Sequence, residues 1–115
     1  MAINSFEELI AWQKSRGLTS LVYKTFRDVR DHGFRDQIQR ASVSVGNNIA
    51  EGFERKGSKE FSRFLFISKG SAGEVRSMLY HALDLGYISK IQFDEISILT
   101  TEVSRLVSGL IKSLR

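Results

Sequence analysis

The chain is 115 residues long, 42% hydrophobic and 26% charged, with a formal net charge of +4. That length builds one modest core, so residues 1–115 are read as a single domain, and the composition excludes a disordered tail. Cys and Pro are both missing. The first absence rules out disulfides, thiol nucleophiles and cysteine-held metals. The second leaves long helices unobstructed, because Pro costs about 3 kcal/mol inside one.

Four segments show helix start signals and 3.6-residue periodicity, and none alternates as a strand would. Ser5 and Glu8 have capping-box spacing and predict a first helix running to about Arg30. Asp31-His32-Gly33 is the expected break, with Gly33 supplying a left-handed turn. A second helix is expected from about Phe34 to Arg55. Lys56-Gly57-Ser58 breaks the chain again, with Ser58 as N-cap. A third helix then spans Lys59 to Leu85 and stops at Gly86. Ser89 and Gln92 form a capping box for the last helix, which runs nearly to Arg115. Such short connections make neighbouring helices antiparallel. The expected class is all-α: an antiparallel, up-down-up-down four-helix bundle.

Advancing 100° per residue assigns the faces. In the second helix Ile38, Ala41, Val45, Ile49 and Phe53 form the core stripe. Gln37, Arg40, Ser44, Asn48, Glu51 and Arg55 form a polar line opposite it, and Val43, Gly46 and Ala50 form a small-residue seam. The glycines cost this helix up to about 1 kcal/mol each, which close approach to a neighbouring helix would offset. In the third helix Phe61, Phe64, Leu65, Ser68, Ala72, Val75, Leu79 and Leu83 make the core seam. Ile67, Met78 and Leu85 add a second seam, while Phe66 and Tyr80 lie off both. So many apolar positions exceed what a small bundle covers, and self-association is expected. The last helix carries Ile96, Leu99, Val103, Leu106, Val107, Leu110 and Leu114 on one face. The first buries Leu18, Leu21, Val22 and Val29 and turns Arg16, Ser20, Lys24 and Arg27 outward. Phe6, Leu9 and Trp12 fall off its apolar stripe, which suggests a separate contact such as a neighbouring subunit.

Residues 14–40 hold seven basic and three acidic side chains. This bias marks Arg16, Lys24, Arg27, Arg30 and Arg35 as candidate nucleic-acid-binding residues, joined by Arg55, Lys56, Lys59 and Arg63 around the second turn. Enzyme constellations are scarce. His32 and His81 have no zinc-ligand spacing, no ExxH pair suggests a di-iron site, and Gly70-Ser-Ala-Gly73 is too short for a phosphate loop. Those small residues are expected to mark tight packing. Glu51 and Glu74 form an acid/base pair only if the second and third helices bring them together over an open pocket. The preferred reading makes them part of a structural polar network of Gln37, Arg40, Ser44, Asn48, Glu51, Ser71 and Glu74. No metal site, cofactor or membrane span is expected. The acidic N-terminal stretch and the lack of Cys suggest a cytoplasmic protein.

Three stretches carry a family resemblance: FEELIAWQKSRGLTSLVYK, QIQRASVSVGNNIAEGFER and EFSRFLFISKGSAGEVRSMLYHALDLGYI. Together they resemble the four-helix-bundle proteins encoded in intervening sequences of bacterial 23S ribosomal RNA genes. Trp12, Gln37, Arg40, Ala41, Ser44, Asn48, Glu51, Gly52, Gly70, Ser71 and Glu74 carry the pattern. The family's Phe-Pro between the first two helices is replaced by Val29-Arg-Asp-His-Gly33, and its Pro-Ser before the Asn by Gly46-Asn47. The resemblance implies a bundle that assembles into homopentamers and has no defined catalytic residues. One relative, the accessory variability determinant of diversity-generating retroelements, binds nucleic acid and partners a reverse transcriptase. The expected function is a non-enzymatic homo-oligomer that binds RNA or DNA without sequence preference. The alternative is a protein–protein adaptor for a nucleic-acid enzyme such as a reverse transcriptase.

Overall fold

A computed structural model describes residues 2–115. Four helices follow a single 3-10 turn at Phe6–Glu8: α1 (Ile10–Phe26), α2 (His32–Glu54), α3 (Ser58–Asp84) and α4 (Lys90–Ser113). Each helix packs on two neighbours in the cyclic order α1, α2, α3, α4, giving an antiparallel bundle of 44 × 22 × 19 Å. No strand occurs among the described residues.

Four boundaries differ from the expectation. Ser5 does not cap a helix. Its hydroxyl and the Asn4 N–H both reach the Glu8 carboxylate, and extended Leu9 (φ −74°, ψ 125°) separates the 3-10 turn from α1. That kink drives Leu9 into the core at 7% exposure and folds Phe6 edge-on against Trp12, with ring centroids 5.1 Å apart. The N-terminal apolar residues therefore pack against their own bundle, where a contact with another subunit had been expected.

The first helix also stops at Phe26, short of Arg30. Gly33 has no left-handed role, because Asp31 starts α2 earlier by accepting the Phe34 N–H at 3.1 Å. Positive φ occurs only at Gly57 (98°) and Gly86 (75°) among the described residues. Gly57, not Ser58, is the N-cap residue of α3. At both positions a side chain would strain the backbone. The Ser89–Gln92 capping box that opens α4 forms with both of its hydrogen bonds.

The core divides along the bundle axis. One cluster, near the α1–α2 connection, centres on Leu18, Phe26, Ile38, Leu79 and Ile96. The other, toward the chain ends, centres on Val45, Ile49, Leu65, Val103 and Val107. Four buried hydroxyls, one per helix, belong to the middle of the bundle: Ser15, Ser42, Ser68 and Thr100. Three bond within their own helix, to the carbonyls of Trp12, Gln39 and Ile96. Ser68 instead crosses from α3 to donate to the Val45 carbonyl of α2 at 2.7 Å. Each hydroxyl has a partner, so burial leaves no orphaned polar atom.

Two glycines of α2 explain its close packing. A Cβ on Gly46 would lie 2.7 Å from the Ser15 hydroxyl of α1. One on Gly52 would lie 2.6 Å from the Phe64 Cβ of α3 and 3.3 Å from the Phe61 carbonyl. The same helix thus brings α1 close at one glycine and α3 close at the other, as the propensity cost suggested. Gly70 and Gly73 behave differently. Both face open space, so they do not mark tight packing within the chain.

Candidate nucleic-acid interface

The outer surface of α2 runs between two seams. Toward α3, polar side chains consume one another. Ser44 and Ser71 share a hydrogen bond of 2.8 Å, and the Asn48 amide donates to the Ser44 carbonyl and hydroxyl at 2.8 and 3.0 Å. Gln37 donates to Glu74 at 3.1 Å, nearer the other end of the bundle. Glu51 accepts from Arg55 at 3.0 Å.

The expected single network is therefore three separate groups, and Arg40 makes no hydrogen bond within them. Antiparallel packing is the reason. Gln37 and Glu51 stand 14 residues apart, about 21 Å along α2, so an α3 residue opposite one cannot reach the other. Glu74 meets Gln37, while Glu51 lies beside the α2–α3 turn. The two carboxylates do not converge, and each already has a different partner, contrary to what an acid/base pair needs. The groups are half-exposed or exposed, so their net contribution is about 0.5–1.5 kcal/mol per hydrogen bond at most.

The α2–α3 turn gathers Arg55, Lys56, Lys59 and Arg63 as expected, but with acids among them. Arg55 contacts Glu51 and Glu60, and Arg63 binds Glu60 through two nitrogens at 3.1 and 3.3 Å. The hydrogen bond from Arg63 holds the Glu60 carboxyl below its ordinary range, and the same contact raises Arg63. Both guanidinium groups also lie over the Phe64 ring, at 4.9 and 4.5 Å. Residues 51–63 carry four basic and three acidic side chains, close to neutral as a set.

Toward α1 the surface is different. Arg16, Lys24, Arg27 and Arg30 are exposed, as is Arg40 on α2, and none forms an ion pair among the described residues. Arg35 is the exception at this end, paired with Asp36 at 3.3 Å. Arg16 lies 5.8 Å from the Trp12 ring centroid. Below this surface the helices are tied together by the Thr19 hydroxyl, which donates to the Ser42 carbonyl at 3.1 Å, and by the close approach at Gly46. The candidate cations thus split between opposite ends of the bundle. Beside the α1–α2 seam Arg16, Lys24, Arg27, Arg30 and Arg40 have no ion pair among the described residues. At the α2–α3 turn Arg55 and Arg63 are paired, and Lys56 and Lys59, also without an ion pair among the described residues, stand among Glu51, Glu54 and Glu60.

Two residues of this face were missed in the sequence. Arg40 was assigned to the polar network. Tyr23, 43% exposed, was assigned to nothing, although it falls within about 60° of Arg16, Ser20 and Arg27 on the α1 wheel. Tyr23 and Arg40 line one shallow depression of about 430 Å³ with Val43, Ser44, Asn47, Asn48 and Glu51.

At the end of the bundle nearest Arg27 and Arg30, Asp31 joins the two connections. One carboxylate oxygen accepts the Phe34 N–H that starts α2, and the other accepts the Tyr87 hydroxyl at 2.7 Å. The Tyr87 hydrogen bond, followed by that from Phe34, lowers the Asp31 pKa from its ordinary value; the same contact raises Tyr87. No group of three or more His, Asp or Glu residues is arranged to hold a metal among the described residues, and no described helix is long and apolar enough to cross a membrane.

Fold and surface together define a four-helix bundle with one cationic face between its first two helices. The model of the 23S rRNA-intervening sequence protein family matches residues 7–109, and the chain belongs to that family. A crystal structure of a protein of unknown function from the S23 ribosomal protein family of Bacteroides thetaiotaomicron VPI-5482 has the same fold, with a TM-score of 0.83. The similarity covers 90% of this chain and 96% of that one at 23% identity. No curated protein matches the chain.

Proposed function

We propose that the chain is a non-enzymatic, self-associating bundle that binds nucleic acid through phosphate contacts on the α1–α2 face. The observation that carries this reading is the group of five exposed cations, Arg16, Lys24, Arg27, Arg30 and Arg40, none with a carboxylate partner. An unpaired cation can release the counterions of a phosphate; one already held by Glu51 or Glu60 must first give up that contact. Such binding is salt-dependent and largely indifferent to sequence. A titration of labelled RNA and DNA oligonucleotides at 50 and 200 mM salt tests it. Affinity that falls steeply between the two supports the reading, and no binding at 50 mM contradicts it.

Self-association is supported by the outer surfaces of α3 and α4. Phe66, Ile67, Tyr80 and Leu85 are exposed on α3, and Ile91 and Ile98 on α4. Gly70 and Gly73 stand in the same helix as the first group, each costing about 1 kcal/mol of helix propensity for no contact within the chain. Large exposed apolar side chains beside small ones suit contact with another copy, and the homopentamer implied by the family resemblance is the assembly we propose. Sedimentation equilibrium tests this: a single species of five chains supports it, and a monomer at micromolar concentration contradicts it. The cytoplasmic assignment is part of the same proposal, since nucleic acid is the ligand.

A further inference from the structure

Resting on that nucleic-acid reading, we propose that the depression beside Tyr23 is a base-stacking site, and that the preferred ligand is therefore single-stranded nucleic acid. Tyr23 is 43% exposed, stacks on no other aromatic ring, and its hydroxyl has no hydrogen-bond partner among the described residues. It is the only aromatic side chain lining the depression, across which it shares the surface with Arg40 and Asn47.

Position makes this ring more than an exposed tyrosine. On α1 it lies between Arg16 and Arg27 on the same face, about 10 Å and 6 Å of helix rise away. A strand following α1 would meet a cation, then a ring, then a second cation, with Arg40 beside the ring from α2. This is the arrangement that binds single strands without reading sequence: a cationic track for the backbone and an aromatic face for one unstacked base. Asn47 is exposed with no hydrogen bond of its own among the described residues, so its amide is free to meet a base edge. A duplex keeps its bases stacked inside and offers only phosphates to the same surface, so it gains nothing from Tyr23.

The other basic cluster lacks these features. Its ring, Phe64, is 7% exposed and covered by Arg55 and Arg63, which are themselves held by acids. A base has no open aromatic face there.

The test is fluorescence anisotropy at low salt with three labelled probes: a 12-nucleotide oligo-uridine strand, the same length of ribose-phosphate backbone lacking bases, and a 12-base-pair RNA duplex. Wild-type protein, Tyr23→Ala and Tyr23→Trp are compared, with circular dichroism showing that each is folded. Tyr23→Ala is expected to weaken the single strand roughly 5- to 100-fold, to leave the duplex and the base-free strand unchanged, and to be rescued by Tyr23→Trp. Equal single-strand affinity for wild type and Tyr23→Ala overturns the stacking site while leaving the phosphate reading in place. A loss shared equally by duplex and single strand also overturns it, since the ring would then act only by positioning cations. Wild-type protein that binds none of the probes overturns both the site and the reading beneath it.

Discussion

The two seams flanking α2 are built alike underneath and differently on top. Each brings a neighbour close at one glycine, Gly46 toward α1 and Gly52 toward α3. Each also has a hydroxyl crossing to a backbone carbonyl, Thr19 to Ser42 and Ser68 to Val45. Outside, the α2–α3 seam is closed on itself: Ser44 with Ser71, Gln37 with Glu74, and Arg55 and Arg63 with Glu51 and Glu60. Among the described residues, the α1–α2 seam leaves its cations without a carboxylate partner and Tyr23 without a stacking ring. A polar group already satisfied within the chain gains little by meeting a ligand, because it must exchange one partner for another. Charge count alone therefore misleads: the pairing state of each cation separates the surface that can bind from the surface that holds the fold.

The largest effect that would sharpen this contrast comes from neutralising the open seam. Replacing Arg16, Arg27 and Arg40 together with Gln is expected to weaken single-strand binding roughly a hundredfold at 50 mM salt. The slope of log K against log salt should become shallower by about 2. Arg55→Gln with Arg63→Gln should change both far less, and the contrast breaks if the two variants behave alike.

Next comes packing. Gly52→Ala forces its methyl against the Cβ of Phe64 and the carbonyl of Phe61, neither of which can rotate away. Overpacking of this kind costs about 1–3 kcal/mol, against about 1 kcal/mol gained in helix propensity. Urea denaturation should show net destabilisation. Gly46→Ala should cost less, because its main clash is with a hydroxyl that can turn.

Smaller still is Ser71→Ala. Losing a half-exposed bond to Ser44 should cost about 1 kcal/mol or less in the same assay and leave nucleic-acid affinity unchanged. A large loss of affinity in that variant would show that the closed seam takes part in binding.

The smallest expected effect is a pH dependence at the end of the bundle. The folded Asp31 pKa lies below its unfolded value, so its contribution to stability is present above the unfolded pKa and is lost as pH falls through the folded one. Tyr87 has the opposite sign: its contribution is complete below the unfolded pKa near 10 and is lost as pH rises through the raised folded value. Asp31→Asn should therefore flatten the acid limb of a stability–pH curve, as read from thermal melts between pH 2 and 5. An unchanged acid limb would remove Asp31 from the account.

Most of the fold could be read from side-chain spacing. Periodicity placed Ile38, Val45, Ile49, Leu65, Val75 and Leu79 in the core, and all six are fully buried. It missed Phe93, Thr100 and Ile111 on α4, which are buried beside a stripe drawn through the leucines. Apart from the Ser89–Gln92 capping box of α4, the helix starts were less legible, because more than one signal competed at each. Ser5 and Glu8 have capping-box spacing, yet burial of Leu9 breaks the helix after them. Gly33 looked like a turn residue, yet the Asp31 side chain fixes the start of α2 two residues earlier.

The candidate interface was half legible. Sequence spacing put Arg16 and Arg27 on one stripe. It could not reveal that Arg55 and Arg63 are neutralised across a turn, since that depends on the path between α2 and α3. Nor could it place Arg40 beside Tyr23, because the two residues belong to different helices and meet only through the register that Thr19 and Ser42 set.

The most direct test of the central claim is an NMR titration of ¹⁵N-labelled protein with a single-stranded oligonucleotide, following backbone and arginine side-chain resonances. The account predicts that perturbations concentrate on Arg16, Tyr23, Lys24, Arg27, Arg40 and Asn47, with residues 55–63 nearly still. Perturbations centred on Arg55, Lys56, Lys59 and Arg63, with the α1–α2 face unmoved, would contradict it.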